Sequence, residues 1–174
     1  MDVHRLGLAA LILALAGCAS QGCDQPLSGE KCRTEHMLYQ NDMLQAKMLI
    51  ASGQLGDYEL AAALLERAEP WDERGEVPFY QALLKIHQGP QVDEVLDLLE
   101  RAADAQQPYA VALLYRIYAQ PFLVNDADPL LAEGYRARYA DLDVAKSGYP
   151  SFRKAAAVVD ELLAAGQELN AGTP

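Results

Sequence analysis

The residues whose types could do chemistry are three cysteines, three histidines and a set of tyrosines. Cys18, Cys23 and Cys32 crowd the N-terminal end of the chain. A thiolate is both a nucleophile and a soft metal ligand, but no two of these cysteines have Cys-x-x-Cys spacing. His4 stands near the start, His36 follows the cysteines, and His87 precedes Gly89. None belongs to a His-x-x-x-His or Glu-x-x-His arrangement, so spacing supports no metal site. His87 reads as the last-turn histidine of a helix, placed favourably against the helix dipole. No Gly-rich loop precedes a helix and no Gly-x-Ser-x-Gly occurs, so neither a phosphate cradle nor a serine nucleophile is indicated. The carboxylate neighbours Asp72/Glu73 and Asp93/Glu94 fall on loops or polar helix faces and read as solvated charges, and no acid is placed on an apolar face. No cofactor and no enzymatic role are expected.

The first cysteine closes an apolar run. Residues 6–17 follow His4 and Arg5, and the run is too short to cross a hydrocarbon core of ~30 Å. It ends in Leu15-Ala16-Gly17-Cys18, with small residues before the cysteine where a peptidase needs them. This tetrapeptide resembles the lipobox of a bacterial lipoprotein precursor. The resemblance implies a signal peptide over residues 1–17, lipidation and acylation of Cys18, and release of a mature chain starting there. Ala19 in place of Asp favours the outer membrane of a Gram-negative bacterium, facing the periplasm. The alternatives are an ordinary secretory signal with a cysteine near the cut, or an N-terminal core helix. If Cys18 carries lipid, Cys23 and Cys32 remain as a pair, and an oxidising periplasm favours a disulfide between them. Such a bridge is worth roughly 2–3 kcal/mol in the chain-entropy picture. A redox or metal-binding thiol pair with His36 nearby is the competing reading.

Residues 18–35, rich in Gly, Ser, Pro and polar types, read as a tether from membrane to domain. The formal net charge of −11 argues against nucleic acid, whose binding depends on cationic side chains, and is compatible with a basic protein partner.

From His36 onward no alternating pattern or hairpin dipeptide appears, and Ala, Leu, Glu, Arg and Gln dominate. Apolar period and Pro/Gly punctuation predict an all-α domain over 36–168 with about seven helices. They cover 37–52, 58–68, 78–87, 92–104, 108–119 and 128–146, with the last starting at Pro150 and a frayed tail at 169–174. Leu64-Leu65-Glu66-Arg67-Ala68 recurs as Leu98-Leu99-Glu100-Arg101-Ala102, and Pro78-Phe79-x-x-Ala82-Leu83-Leu84 recurs as Pro108-Tyr109-x-x-Ala112-Leu113-Leu114. A difference in offset is absorbed in the loop 69–77. Helix pairs at such a spacing predict a short α-solenoid of antiparallel pairs.

The stretch Gly56-Asp57-Tyr58-Glu59-x-Ala61-x-x-x-Leu65-Glu66-Arg67-Ala68-x-Pro70 resembles the second half of a tetratricopeptide repeat. Leu99-x-x-Ala102 together with Ala112, Leu113 and Tyr118 is similar to the Sel1-like variant. Val95, where a small Ala is expected, and Gln45 and Ser52 in the first helix depart from the pattern. In such solenoids the first helix of each pair lines a concave groove. The resemblance therefore implies that Tyr80, Tyr109, Tyr115 and Arg116 are partner-binding anchors, since Tyr and Arg are favoured at interfaces. Most of the remaining aromatics, among them Trp71, Phe79, Tyr118, Tyr135 and Tyr139, are expected in the core.

The expected function is that of a membrane-anchored adaptor that binds an envelope protein during assembly of a secretion, pilus or exopolysaccharide complex. An immunity protein capping a periplasmic toxin uses the same design. The competing class is a cell-wall glycan enzyme, which requires a cleft holding one buried carboxylate beside an exposed one.

Overall fold

The protein is described by a computed structural model that covers Cys23, residues 29–89 and residues 91–167. The lipobox, Cys18 and the tail 169–174 lie outside the described residues, as does most of the stretch read as tether. The chain divides into two units, Met1–His36 and Met37–Pro174.

Among the described residues the chain is all-α, with eight helices and no strand. They are α1 (Glu30–Ser52), α2 (Leu55–Ala68), α3 (Glu76–Gln88), α4 (Val92–Asp104), α5 (Pro108–Ala119), α6 (Pro129–Asp141), the single turn α7 (Asp143–Lys146) and α8 (Phe152–Gln167). The starts of α5 and α6 follow from local chemistry. Pro108 and Pro129 occupy first-turn positions, where a missing N–H costs nothing. The Gln107 side chain accepts the Tyr109 N–H at 3.2 Å, and Asp128 accepts the Leu131 N–H at 2.9 Å.

Three boundaries differ from the sequence reading. Helix α1 begins at Glu30, so residues 30–35 of the expected tether are helical. The helix expected over 128–146 stops at Asp141. Leu142 turns to an extended conformation that buries its side chain, and the chain restarts as α7. The last helix starts at Phe152 and not at Pro150.

Successive helices from α2 to α6 pack each on the next, the arrangement of a short solenoid-like stack. Met43, Ala46, Ile50, Tyr58, Leu65, Val77 and Leu84 form a first core cluster. Phe79, Leu83, Leu99, Leu113, Leu114, Ile117, Tyr139 and Val159 anchor a second. The repeated words carry matching burial: Leu65 and Leu99, Ala68 and Ala102, Ala82 and Ala112, and Leu83 and Leu113 are all fully enclosed. The copies part at three positions: Pro78 and Phe79 are buried where Pro108 and Tyr109 are only partly so, and Glu66 is exposed where Glu100 is partly buried. Helix α8 leaves the regular order. It packs on α5, α3 and α6 and so lies across the first helices of the second and third pairs.

The loop before α3 fits tightly against α4. Gly75 has φ +68°, and a Cβ built there would come within 2.7 Å of the Ala102 carbonyl oxygen. Glycine therefore meets two requirements at once, a left-handed backbone and a close approach.

Candidate functional site

Side chains from three first helices converge at the N-terminal ends of α3 and α5. From α1, the Tyr39 hydroxyl lies 3.3 Å from both Asp72 Oδ1 and Glu76 Oε2, and Lys47 Nζ lies 2.8 Å from Glu76 Oε1. Lys47 also stands 5.1 Å from the Tyr80 ring centroid, within cation–π range. The Phe79 ring packs edge-on against Tyr80 and lies 6.0 Å from Tyr109.

Asp72 organises this patch. Its Oδ2 accepts the Val77 N–H at 2.8 Å, and its Oδ1 accepts the N–H groups of Arg74 and Glu76. It thus satisfies first-turn donors of α3, which Gly75 at the N-cap has no side chain to reach. Asp72 is not the freely solvated charge that its neighbour pairing suggested.

The phenols here are held protonated. Burial, then Glu76 and Tyr109, push Tyr80 up to about 12. Burial, then the charges of Asp72 and Glu76 and the hydrogen bonds to them, raise Tyr39 further. Burial also raises Tyr109. At neutral pH these groups can donate hydrogen bonds and offer ring faces beside two carboxylates.

The four expected anchors do not share this environment. Tyr80 and Tyr109 belong to the patch. Tyr115 and Arg116 are engaged by α8. The Tyr115 ring meets Phe152 edge-on at 5.0 Å. Arg116 Nε lies 3.1 Å from Asp160 Oδ1, and its Nη1 donates to the Gln120 carbonyl at 3.0 Å. The sequence reading missed Tyr39, Lys47, Asp72 and Glu76. The signal available for Asp72 and Glu76 was the longer loop 69–77 of the first repeat copy. Those additional residues are the ones that place the two acids.

No family model, curated protein or solved structure matches this chain. Its chemistry therefore has to be read from its own residues.

Cys23 Sγ and Cys32 Sγ lie 2.05 Å apart, at disulfide bonding distance. Glu35 Oε2 approaches Cys23 Sγ at 3.0 Å, but oxidised sulfur has no proton to donate. These three residues are close enough to gather a metal ion. Metal binding by cysteine needs thiolates, and the bonded sulfurs are not thiolates.

Contrary to the sequence reading, one acid is buried. Asp42 is 1% exposed, and its two oxygens are taken by the guanidinium of Arg67, with Nε to Oδ2 at 2.7 Å. The bidentate ion pair joins α1 to α2. The groove bounded by α2, α3 and α4 carries Glu66, Glu69, Glu94 and Asp97, all exposed. Two of these acids pair with cations, Lys85 with Glu94 at 2.7 Å and Arg101 with Glu69 at 3.0 Å.

His87 lies in the last turn of α3, as the sequence reading has it, but is buried there. It is 8% exposed, its ring centroid is 6.1 Å from that of Tyr58, and neither ring nitrogen completes a hydrogen bond. The Leu162 backbone of α8 favours the charged form, but without full hydrogen-bond geometry it does not offset desolvation, and the pKa is lowered.

Proposed function

We propose that the chain is a lipid-anchored adaptor of the Gram-negative outer membrane. In this reading it faces the periplasm and binds an envelope protein during assembly of a secretion, pilus or exopolysaccharide complex. The observation that carries the reading is the patch of Tyr39, Tyr80 and Tyr109, contributed by successive first helices, around Glu76 and the loop residue Asp72. Tyrosine offers large contact area at low entropic cost. With two carboxylates and a net charge of −11, the patch suits a partner segment bearing Lys or Arg.

A glycan hydrolase finds less support. Its acid would need an apolar cleft that raises its pKa beside a second, ionised carboxylate. The one buried acid among the described residues is neutralised by Arg67, and the acids of the open groove are exposed.

The test is capture from detergent-solubilised envelope with the unaltered chain and with a Tyr80→Ala, Tyr109→Ala double variant. A partner retained by the first and lost by the second supports the reading. Equal capture by both removes the patch from consideration. A captured toxin would recast the same surface as that of an immunity protein. The anchor is tested separately, because Cys18→Ser should release the protein from the membrane fraction.

A further inference from the structure

We infer that the outward face of α1 rests on the lipid surface to which the chain is anchored. The inference rests on the proposed anchor at Cys18. Met37, Leu44 and Met48 are 64%, 59% and 66% exposed. At ~100° per residue they align within roughly 40° of one another, on the side of the helix away from the buried Met43, Ala46 and Ile50. Asn41 and Gln45 stand between them.

Between residues 37 and 51 this helix exposes no charged side chain. Asp42 is buried against Arg67, and Lys47 is partly buried against Glu76. On α4, by contrast, Asp93, Glu94, Asp97, Arg101 and Asp104 are all exposed. A terminal helix of a stacked array needs a polar outer face if water is its only neighbour. An uncharged face with three large apolar side chains, in a chain of net charge −11, fits a neighbour that is not water.

The covalent path says which neighbour. Cys23 is bonded to Cys32, which lies in α1 itself. Only the segment from Cys18 to Cys23 then separates the anchor from this helix, a reach of at most ~18 Å for five residues. A helix held this close to a bilayer, with neutral polar residues flanking an apolar stripe, is suited to the headgroup boundary. The acidic charge of the chain favours zwitterionic over anionic lipid.

The test uses the chain from Cys18 onward, which keeps every buried hydrophobic residue of the described structure. With Cys23 and Cys32 oxidised, Cys18 is the reactive thiol. It is coupled to maleimide lipid in phosphatidylcholine vesicles and, as a control, to a soluble maleimide polymer. Peroxide oxidation of Met37 and Met48 is then followed by mass spectrometry, with buried Met43 as the internal reference. Oxidation of Met37 and Met48 should slow severalfold on vesicles and not on the polymer. Equal rates on both would overturn the inference. Slowing on the polymer that grows with protein concentration would overturn it in favour of a second copy of the chain. Because the coupling is chemical, failure here is distinct from failure of native acylation at Cys18, which incorporation of labelled fatty acid reads independently.

Discussion

Tyr109 and Tyr115 lie on the same helix, fewer than two turns apart, and meet different fates. Tyr109 joins Phe79, Tyr80 and Glu76 at the starts of α3 and α5. Tyr115 packs edge-on against Phe152 of α8, and the adjacent Arg116 is bound to Asp160 of the same helix. Tyr80, Tyr109, Tyr115 and Arg116 are all partly buried, so the two halves of this first-helix face differ in neighbours and not in exposure. Helix α8 engages the half near the ends of α3 and α5, the covered half. The half near their starts, the open half, meets Lys47 of α1. What separates the halves is the path of α8, not residue type. An interface-favoured residue is available to a partner only where the chain's own next element does not reach it.

The comparison breaks most completely if α3 is unseated. Gly75→Ala places a methyl against the Ala102 backbone and forces a left-handed alanine. It should cost about 2–4 kcal/mol, read as a lowered urea midpoint, and should disturb both halves together. A midpoint unchanged from the parent would show that the loop can move away from α4.

Removing the cover is the next largest change. Phe152 contacts both Tyr115 and Tyr139 and is partly buried. Phe152→Ala should cost about 2 kcal/mol, less than a fully buried Phe, and should speed hydrogen exchange in α8 while leaving Tyr80 and Tyr109 in place. Slow exchange retained in α8 would show that Phe152 does not hold it.

In the open half the effects should dissociate. Tyr80→Ala and Tyr109→Ala should each lower stability by about 1 kcal/mol but weaken partner capture by ~2 kcal/mol or more. Tyr115→Ala should do the reverse. If all three lower the melting temperature alike and none selectively weakens capture, the halves are not functionally distinct.

Titration sharpens the contrast with smaller effects. Tyr80 in the open half and Tyr139, which meets Phe152 in the covered half, are both pushed up to about 12, chiefly by burial. A raised folded-state value means their contribution is whole below about pH 10, the unfolded value, and is lost as pH rises towards 12. Tyr80→Phe should remove its share of that alkaline slope. His87 has the opposite sign. Its folded value is lowered, so its contribution is whole above about pH 6.5 and is lost as pH falls through the lower folded value. His87→Phe should flatten the acid limb of a midpoint-versus-pH curve, and an unchanged limb would place the acid sensitivity elsewhere.

Much of the fold was legible because its signals are local. Pro108 and Pro129 mark helix starts, and the repeated Leu-Leu-Glu-Arg-Ala words fill equivalent buried positions. The break at Leu142 was not legible, because burial of one leucine overrides a continuous helical pattern. Asp42 was hidden for a related reason. Its partner Arg67 is distant in sequence, so period alone shows an acid on a helix and not an ion pair. The candidate site was half legible. Residue type found Tyr80 and Tyr109, but Tyr39, Asp72 and Glu76 come together only through packing across helices and a loop. The cover over Tyr115 and Arg116 depends on where α8 lies, which no spacing encodes.

The claim that the open half is the partner surface is tested most directly by site-specific photocrosslinking in intact envelope. A photoreactive residue is placed singly at position 80, 109, 115 or 116. The account predicts adducts to a protein partner from 80 and 109 and none from 115 and 116. Adducts from 115 or 116 with none from 80 and 109 would contradict it.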